Sequence, residues 1–159
     1  MPNLPAHEPQ RLTPKLLDPQ QLAEVTARVS RAHEPLFDLF GFEVLEMGPG
    51  FARLGMTIRA DMVNAAGVCH GGILFMFADS AFGFACNSHN QRALSTACAI
   101  EFLAPARPAD QLIATATEQV LGKRTGIYDV RVETAAGSLI ALLRGRSATI
   151  AGEVIPSTT

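Results

Sequence analysis

Apolar and polar positions alternate in several rhythms along the chain, and each rhythm predicts an element. From Asp18 the spacing of Leu22, Val25, Val29 and Ala32 is helical, and Asp18-Pro19 with Gln21 provides an N-cap, a first-turn proline and a capping box. PLFDLFG predicts one further helical turn, stopped by Gly41. FEVLEMGPGFARLGMTI predicts two strands joined in a hairpin at Gly48-Pro49-Gly50. The stretch NAAGVCHGGILFMFADSAFGFACNS, residues 64–88, breaks this rhythm. It is too long for a strand, and alanine, phenylalanine, leucine and methionine occupy every face of its helical wheel. A helix that is apolar all round must be wrapped by something. Four extended runs follow, ALSTACAIEFLAPA, QLIATATEQVLG, TGIYDVRVETA and SLIALLRGRSATIAG. Turn material at Ala106 to Asp110, Gly122 to Arg124 and Ala135 to Gly137 separates them, which predicts an antiparallel meander.

Hairpin, buried helix and four strands together predict an α+β hotdog fold, a bent antiparallel β-sheet wrapped around one long central helix. The expected organisation is a disordered, proline-rich tail over 1–17, an N-terminal helical segment over 18–40, the hotdog domain over 41–152 and a tail over 153–159. At 159 residues and 48% apolar content the chain is long enough for one real core. Its net charge of −2, with scattered basic residues, gives no electrostatic footprint for nucleic acid. The start, MPNLPAHEPQ, lacks the charged-then-apolar pattern of a signal peptide. The apolar run from Gly71 to Cys86 is shorter than the roughly 18–20 residues a bilayer requires, and it contains Asp79. The expectation is a cytoplasmic protein with neither a nucleic-acid nor a membrane partner. Three cysteines, Cys69, Cys86 and Cys98, lack metal-ligand spacing and are expected to be reduced structural thiols.

Asp79 is the residue that demands chemistry, because a carboxylate removed from water costs several kcal/mol unless it is compensated. Ser80, Ser95 and Thr96 are candidates to satisfy it as a polar plug. His70 and Gly71 stand where a loop enters the helix, a place with unpaired backbone N–H groups and the positive end of the dipole, suited to an oxyanion. Without a Cβ, Gly71 and Gly72 permit close approach of a carbonyl. Eight residues separate Gly71 from Asp79, about 12 Å along one helix, too far for both to meet one reacting group. Two copies with antiparallel central helices close this gap, so the expected site is composite, with two sites per homodimer. Asn64 is either turn chemistry or a holder of substrate or water. His70 is a positioning group or a satisfied helix-entry histidine. A Cys69–His70 dyad is disfavoured, since neighbours in extended chain point to opposite sides.

These residues, N-x5-HGG-x7-D within residues 64–88 and the later STACAIEFLAPA, GKRTGIYDVRV and ALLRGRSATI, resemble the phenylacetic-acid-degradation (PaaI-type) acyl-CoA thioesterases, a hotdog-fold family. The likeness spans roughly residues 34–152. It implies hydrolysis of an acyl-CoA thioester with the carbonyl polarised by the N–H of Gly71. The resemblance makes Asp79 of the opposite subunit the nucleophile or general base, Asn64 the water- or substrate-positioning asparagine, and His70 the helix-entry histidine. It makes Ser95 or Thr96 the hydroxyl beside the acid. It also implies a tetramer built from two dimers and no metal or other cofactor, coenzyme A being part of the substrate.

For the acyl group, Phe75, Phe77, Phe82 and Phe84 crowd the helix, and whichever of them face the pocket would form an apolar slot for an aryl-acetyl or medium-chain acyl group. Lys123 and Arg124, in a turn, are candidates by charge for the coenzyme A phosphates, with Arg107, Arg144 or Arg146. The family name points to phenylacetyl-CoA and hydroxyphenylacetyl-CoA. The alternatives are an acyl-thioester hydratase or dehydratase on the same fold, and a non-catalytic acyl-CoA sensor.

Overall fold

The computed structural model describes residues 13–157. Helix α1 (Pro19–Arg31) begins at the expected capping box. Asp18 Oδ1 accepts from the Gln21 N–H at 2.8 Å, and the Gln21 carboxamide accepts from the Asp18 N–H at 3.1 Å. Of the residues at the predicted spacing Val25 is buried, Leu22 and Val29 are half-buried and Ala32 is exposed; Ala23, Thr26 and Ala27 complete the buried face. Small side chains on that face allow the helix to lie close to the sheet. Helix α2 (Pro35–Phe40) ends at Gly41, whose φ of 68° is the left-handed cap that a Cβ would strain.

Strands β1 (Glu43–Gly48) and β2 (Phe51–Thr57) form the hairpin, followed by the central helix α3 (Gly71–Asn87). Strands β3 (Gln91–Phe102), β4 (Gln111–Leu121), β5 (Thr125–Thr134) and β6 (Leu139–Glu153) complete one six-stranded sheet of order β1-β2-β4-β5-β6-β3. All its pairs are antiparallel. The four-strand meander expected from the sequence is therefore corrected to three strands, β4-β5-β6. β3 instead pairs with β6 at the far edge, opposite the hairpin. Chain leaving the C-terminus of α3 emerges at that edge. The 103–110 connection then returns across the end of the sheet, held by Leu103 N–H on the Ile140 carbonyl (2.8 Å) and Ala109 N–H on the Ile58 carbonyl (2.8 Å).

The inner face of the sheet is built from small and medium residues, Ala52, Leu54, Ala114, Ala116, Val130, Val132, Ala141 and Gly145, and α3 presses Phe77 and Phe82 into it. Ala78, Ala81 and Ala85 of the helix are equally sealed. This large-into-small complementarity is how a wrapped helix reaches interior packing density. Met76, Asp79, Ser80, Gly83 and Asn87, spaced by three and four, are only half-buried and line a cavity along the β3 edge of the sheet. The helix thus has one face that its own sheet covers only in part. Beyond the last strand, Asn90 holds the chain by both ends of its carboxamide against Ile155 (2.7 and 3.2 Å), and Ile155 is buried. No helix among the described residues is long and apolar enough to cross a membrane.

Candidate active site

The loop entering α3 is a tight backbone construction. Asn64 N–H donates to the Val68 carbonyl at 2.8 Å, and its Oδ1 accepts from Ala66 N–H at 2.9 Å and Val68 N–H at 3.4 Å. Asn64 is therefore turn chemistry on its oxygen side, while Nδ2 keeps two donors with no partner among the described residues. His70 N–H is fixed on the Met62 carbonyl at 2.8 Å, and its ring caps the helix, with Nδ1 accepting from Gly72 N–H at 3.0 Å. That bond places the proton of a neutral ring on Nε2 and occupies the nitrogen a base would use. The two glycines have separate reasons to be there. A Cβ on Gly72 would lie 3.2 Å from His70 Nδ1, and one on Gly71 would lie 3.2 Å from the Phe102 ring. Since His70 has taken the Gly72 N–H, the Gly71 N–H is the donor left for an incoming oxygen. Asn64 and Gly71 line one cavity of about 380 Å³ with Leu74, Phe102 and Ala104.

Asp79 sits on the half-buried face of α3, beside the edge strand β3. Ser95 Oγ donates to Asp79 Oδ1 at 2.9 Å, and Cys98 Sγ donates to the same oxygen at 3.4 Å. Thr96 is turned away and donates to the Arg146 carbonyl at 3.0 Å, so of the two candidate hydroxyls Ser95 is the one beside the acid. Strand alternation would put Ser95 and Cys98 on opposite faces. A bulge between Ser95 and Ala97 inserts Thr96 as an extra residue and resets the phase, so both side chains reach the helix. A pattern of period two does not show such an extra residue. Burial, reinforced by the charge of Asp79, pushes that thiol up to about 11.

Asp79 opens onto a cavity of about 930 Å³ that reaches from Met76, Gly83 and Phe84 on α3 to Val29, Leu36 and Phe37 of the N-terminal helices. Of the four phenylalanines on the helix, Phe77 and Phe82 are sealed in the core and Phe84 lines this cavity. Phe75 is half-buried against the core and lines neither cavity described. Phe102, at the Gly71 cavity, carried no signal in the sequence beyond its place at the end of an extended run. Lys123 and Arg124 are exposed in the β4–β5 turn, where the Arg124 carbonyl accepts from Thr149 N–H at 2.9 Å, next to the cavity-lining Ile150. Cys69 is buried and its thiol turns to the His70 carbonyl at 3.8 Å, so the neighbours form no dyad. Among the described residues no three His, Cys, Asp or Glu side chains converge as a metal site would need.

A bent sheet around one helix, with an acid midway along it and an unpaired N–H at its start, is the layout of a hotdog-fold hydrolase. The family model of the thioesterase superfamily matches residues 66–141. Acyl-coenzyme A thioesterase PaaI of Escherichia coli is 43% identical over 114 residues, 72% of this chain and 81% of the relative. A putative esterase of Archaeoglobus fulgidus is 38% identical over 125 residues, 79% and 81% of the respective chains. The solved E. coli PaaI protein from the phenylacetic acid degradation operon superposes with a TM-score of 0.84 at 38% identity, covering 86% of this chain and 99% of that one. The chain belongs to the thioesterase superfamily, among the PaaI-type acyl-CoA thioesterases, and is a thioester hydrolase.

Proposed function

We propose that this enzyme hydrolyses aryl-acetyl or medium-chain acyl-CoA thioesters, phenylacetyl-CoA and hydroxyphenylacetyl-CoA foremost, in a site shared by two copies of the chain. The observation that carries the reading is the separation of its two halves. Gly71, whose N–H has no partner among the described residues, and Asp79 with its half-satisfied carboxylate lie about 12 Å apart along one helix and line different cavities. A second copy set antiparallel brings Gly71 of one protomer opposite Asp79 of its partner. β3, the strand that carries Ser95 and Cys98, is a twelve-residue sheet edge with no partner beyond it among the described residues, a template for strand pairing between copies.

In this site the Gly71 N–H donates to the thioester carbonyl and stabilises the charge that develops on its oxygen, assisted by the positive end of α3. The Asp79 carboxylate attacks the carbonyl carbon or takes a proton from an attacking water, and coenzyme A leaves as the thiol. Asn64 Nδ2 is free to orient water or substrate, and His70 holds the helix start in shape. Phe84, Met76 and Leu36 offer the acyl group an apolar wall, while Lys123 and Arg124, exposed in the β4–β5 turn, are the candidates by charge for the coenzyme A phosphates.

The test is coenzyme A release from a panel of acyl-CoAs, led by phenylacetyl-CoA and its 3- and 4-hydroxy forms, with wild type and Asp79→Asn side by side. Preference for the aryl-acetyl members, with turnover lost in Asp79→Asn and ligand affinity kept, is the expected result. Equal turnover by both proteins would remove Asp79 from the reaction. Preference for short or branched acyl groups would overturn the substrate assignment. Sedimentation of the active form as a monomer would overturn the shared site.

A further inference from the structure

We infer that Cys98 is a positioning residue for Asp79, donating with Ser95 to Oδ1 so that Oδ2 is the oxygen presented to the substrate. The inference rests on Asp79 as the reacting acid. Both donors converge on one oxygen, at 2.9 Å from Ser95 Oγ and 3.4 Å from Cys98 Sγ, and Oδ2 has no partner among the described residues. A carboxylate with both donors on one side is held against rotation about its Cβ–Cγ bond, and its unbonded oxygen retains its lone pairs for an electrophile or a water proton. The bulge at Thr96 is what brings Cys98 onto the helix side; without it Ser95 would be the only donor.

Cys98 suits this task because it stays a thiol. Burial first, and the neighbouring Asp79 charge second, push it up to about 11, so near neutral pH it remains an S–H donor and neither competes as a nucleophile nor repels the carboxylate. Other titratable or charged groups around the same cavity are His33 and Glu34 between α1 and α2, Cys86 on α3, Arg92 on β3 and Glu153 at the end of β6. None of them makes a hydrogen bond to Asp79 among the described residues, so the two β3 side chains are its direct donors.

Donors to the charged form lower the pKa of a carboxyl, so deleting one raises it. The experiment is a carbon-13 carboxyl NMR titration of protein labelled at aspartate, with the Asp79 signal identified by its loss in Asp79→Asn. The Asp79 signal in Cys98→Ala is expected to move to higher pH than in wild type, and Cys98→Ser, which restores a donor, to return most of that change. Cys98→Val, which fills the thiol's space without a donor, must behave as Cys98→Ala does, and it covers the case in which the alanine variant fails to fold. The acid limb of kcat/KM on the best thioester should move by the same amount in each variant. An Asp79 titration that is unmoved by Cys98→Ala or Cys98→Val overturns the inference. So does a shift that Cys98→Ser does not reverse, because a packing effect would then be its cause. The titration needs no substrate, so an error in the proposed acyl group leaves it able to decide the role of Cys98.

Discussion

Gly145→Ala measures how closely α3 is pressed into its sheet. Gly145 lies on the inner face of β6, opposite Cys98 on one side and Tyr128 on the other. A Cβ built there would stand 2.7 Å from Phe82 Cε1, 2.8 Å from Cδ1 and 3.0 Å from Cζ. Ordinary carbon contacts are about 3.5–4.0 Å, so the ring has to retreat by roughly 1 Å. It has little room, since Phe82 is fully buried and stacks on the equally buried Tyr128 with centroids 5.3 Å apart. Overpacking of this kind costs about 1–3 kcal/mol, while the stiffer unfolded chain of the alanine variant returns only about 0.4–1 kcal/mol. The clash wins, and a net loss of roughly 1–2 kcal/mol lowers Tm by about 2–8 °C in a domain of this size. Urea unfolding at fixed protein concentration reads it, because association between copies also shifts the midpoint. Introducing Gly145→Ala into a Phe82→Leu background should cost less than it does in wild type, which isolates the contact as the cause. A Gly145→Ala protein as stable as wild type would refute the close approach of helix and sheet.

Phe37→Ala removes a buried ring that packs on Phe42 and Phe84 at 5.5 and 5.0 Å and lies under the Arg31 guanidinium; it should cost about 3–5 kcal/mol in urea unfolding and, through the cavity wall, raise KM for the preferred acyl-CoA. Burial pushes Cys69 up to about 11 and Cys86 up to about 12 from an ordinary value of 9.0, so above about pH 9 the unfolded chain loses protons that the folded one keeps, and stability should fall through the window up to about pH 12. Urea midpoints across alkaline pH test the sign, and rapid native-state reaction of these two thiols with an aromatic disulfide near neutral pH would contradict it.

Much of this architecture was legible along the chain because it depends on local chemistry. The capping box at Asp18, the stop at Gly41, the hairpin at Gly48-Pro49-Gly50 and the wrapped helix are each set by residues within a few positions of one another. Asp79 could be singled out for the same reason, since an acid in an apolar run has a cost wherever the run is placed. Even the partial exposure of one helix face had a trace, in Met76, Asp79, Ser80, Gly83 and Asn87 at helical spacing. That trace is weak beside the apolar residues around it.

The rest was decided by contacts distant in sequence. Alternation within a strand says which side chains share a face but not which strand lies alongside, so the transfer of β3 to the far edge emerged only when α3 had been laid across the sheet. The single extra residue at Thr96 is invisible to a pattern of period two, yet it turns Cys98 from the outer face onto the carboxylate of Asp79. Likewise the choice of Ser95 over Thr96, the commitment of the Gly72 N–H to His70, and the placing of Phe84 rather than Phe75 on the cavity each depend on where a neighbouring element ends up. Sequence alone determined which elements form and which acid demands an explanation, because propensity, capping and the cost of burying charge are local. Tertiary structure decided which donors meet that acid and from which side, because register and packing are settled only between elements that the chain brings together.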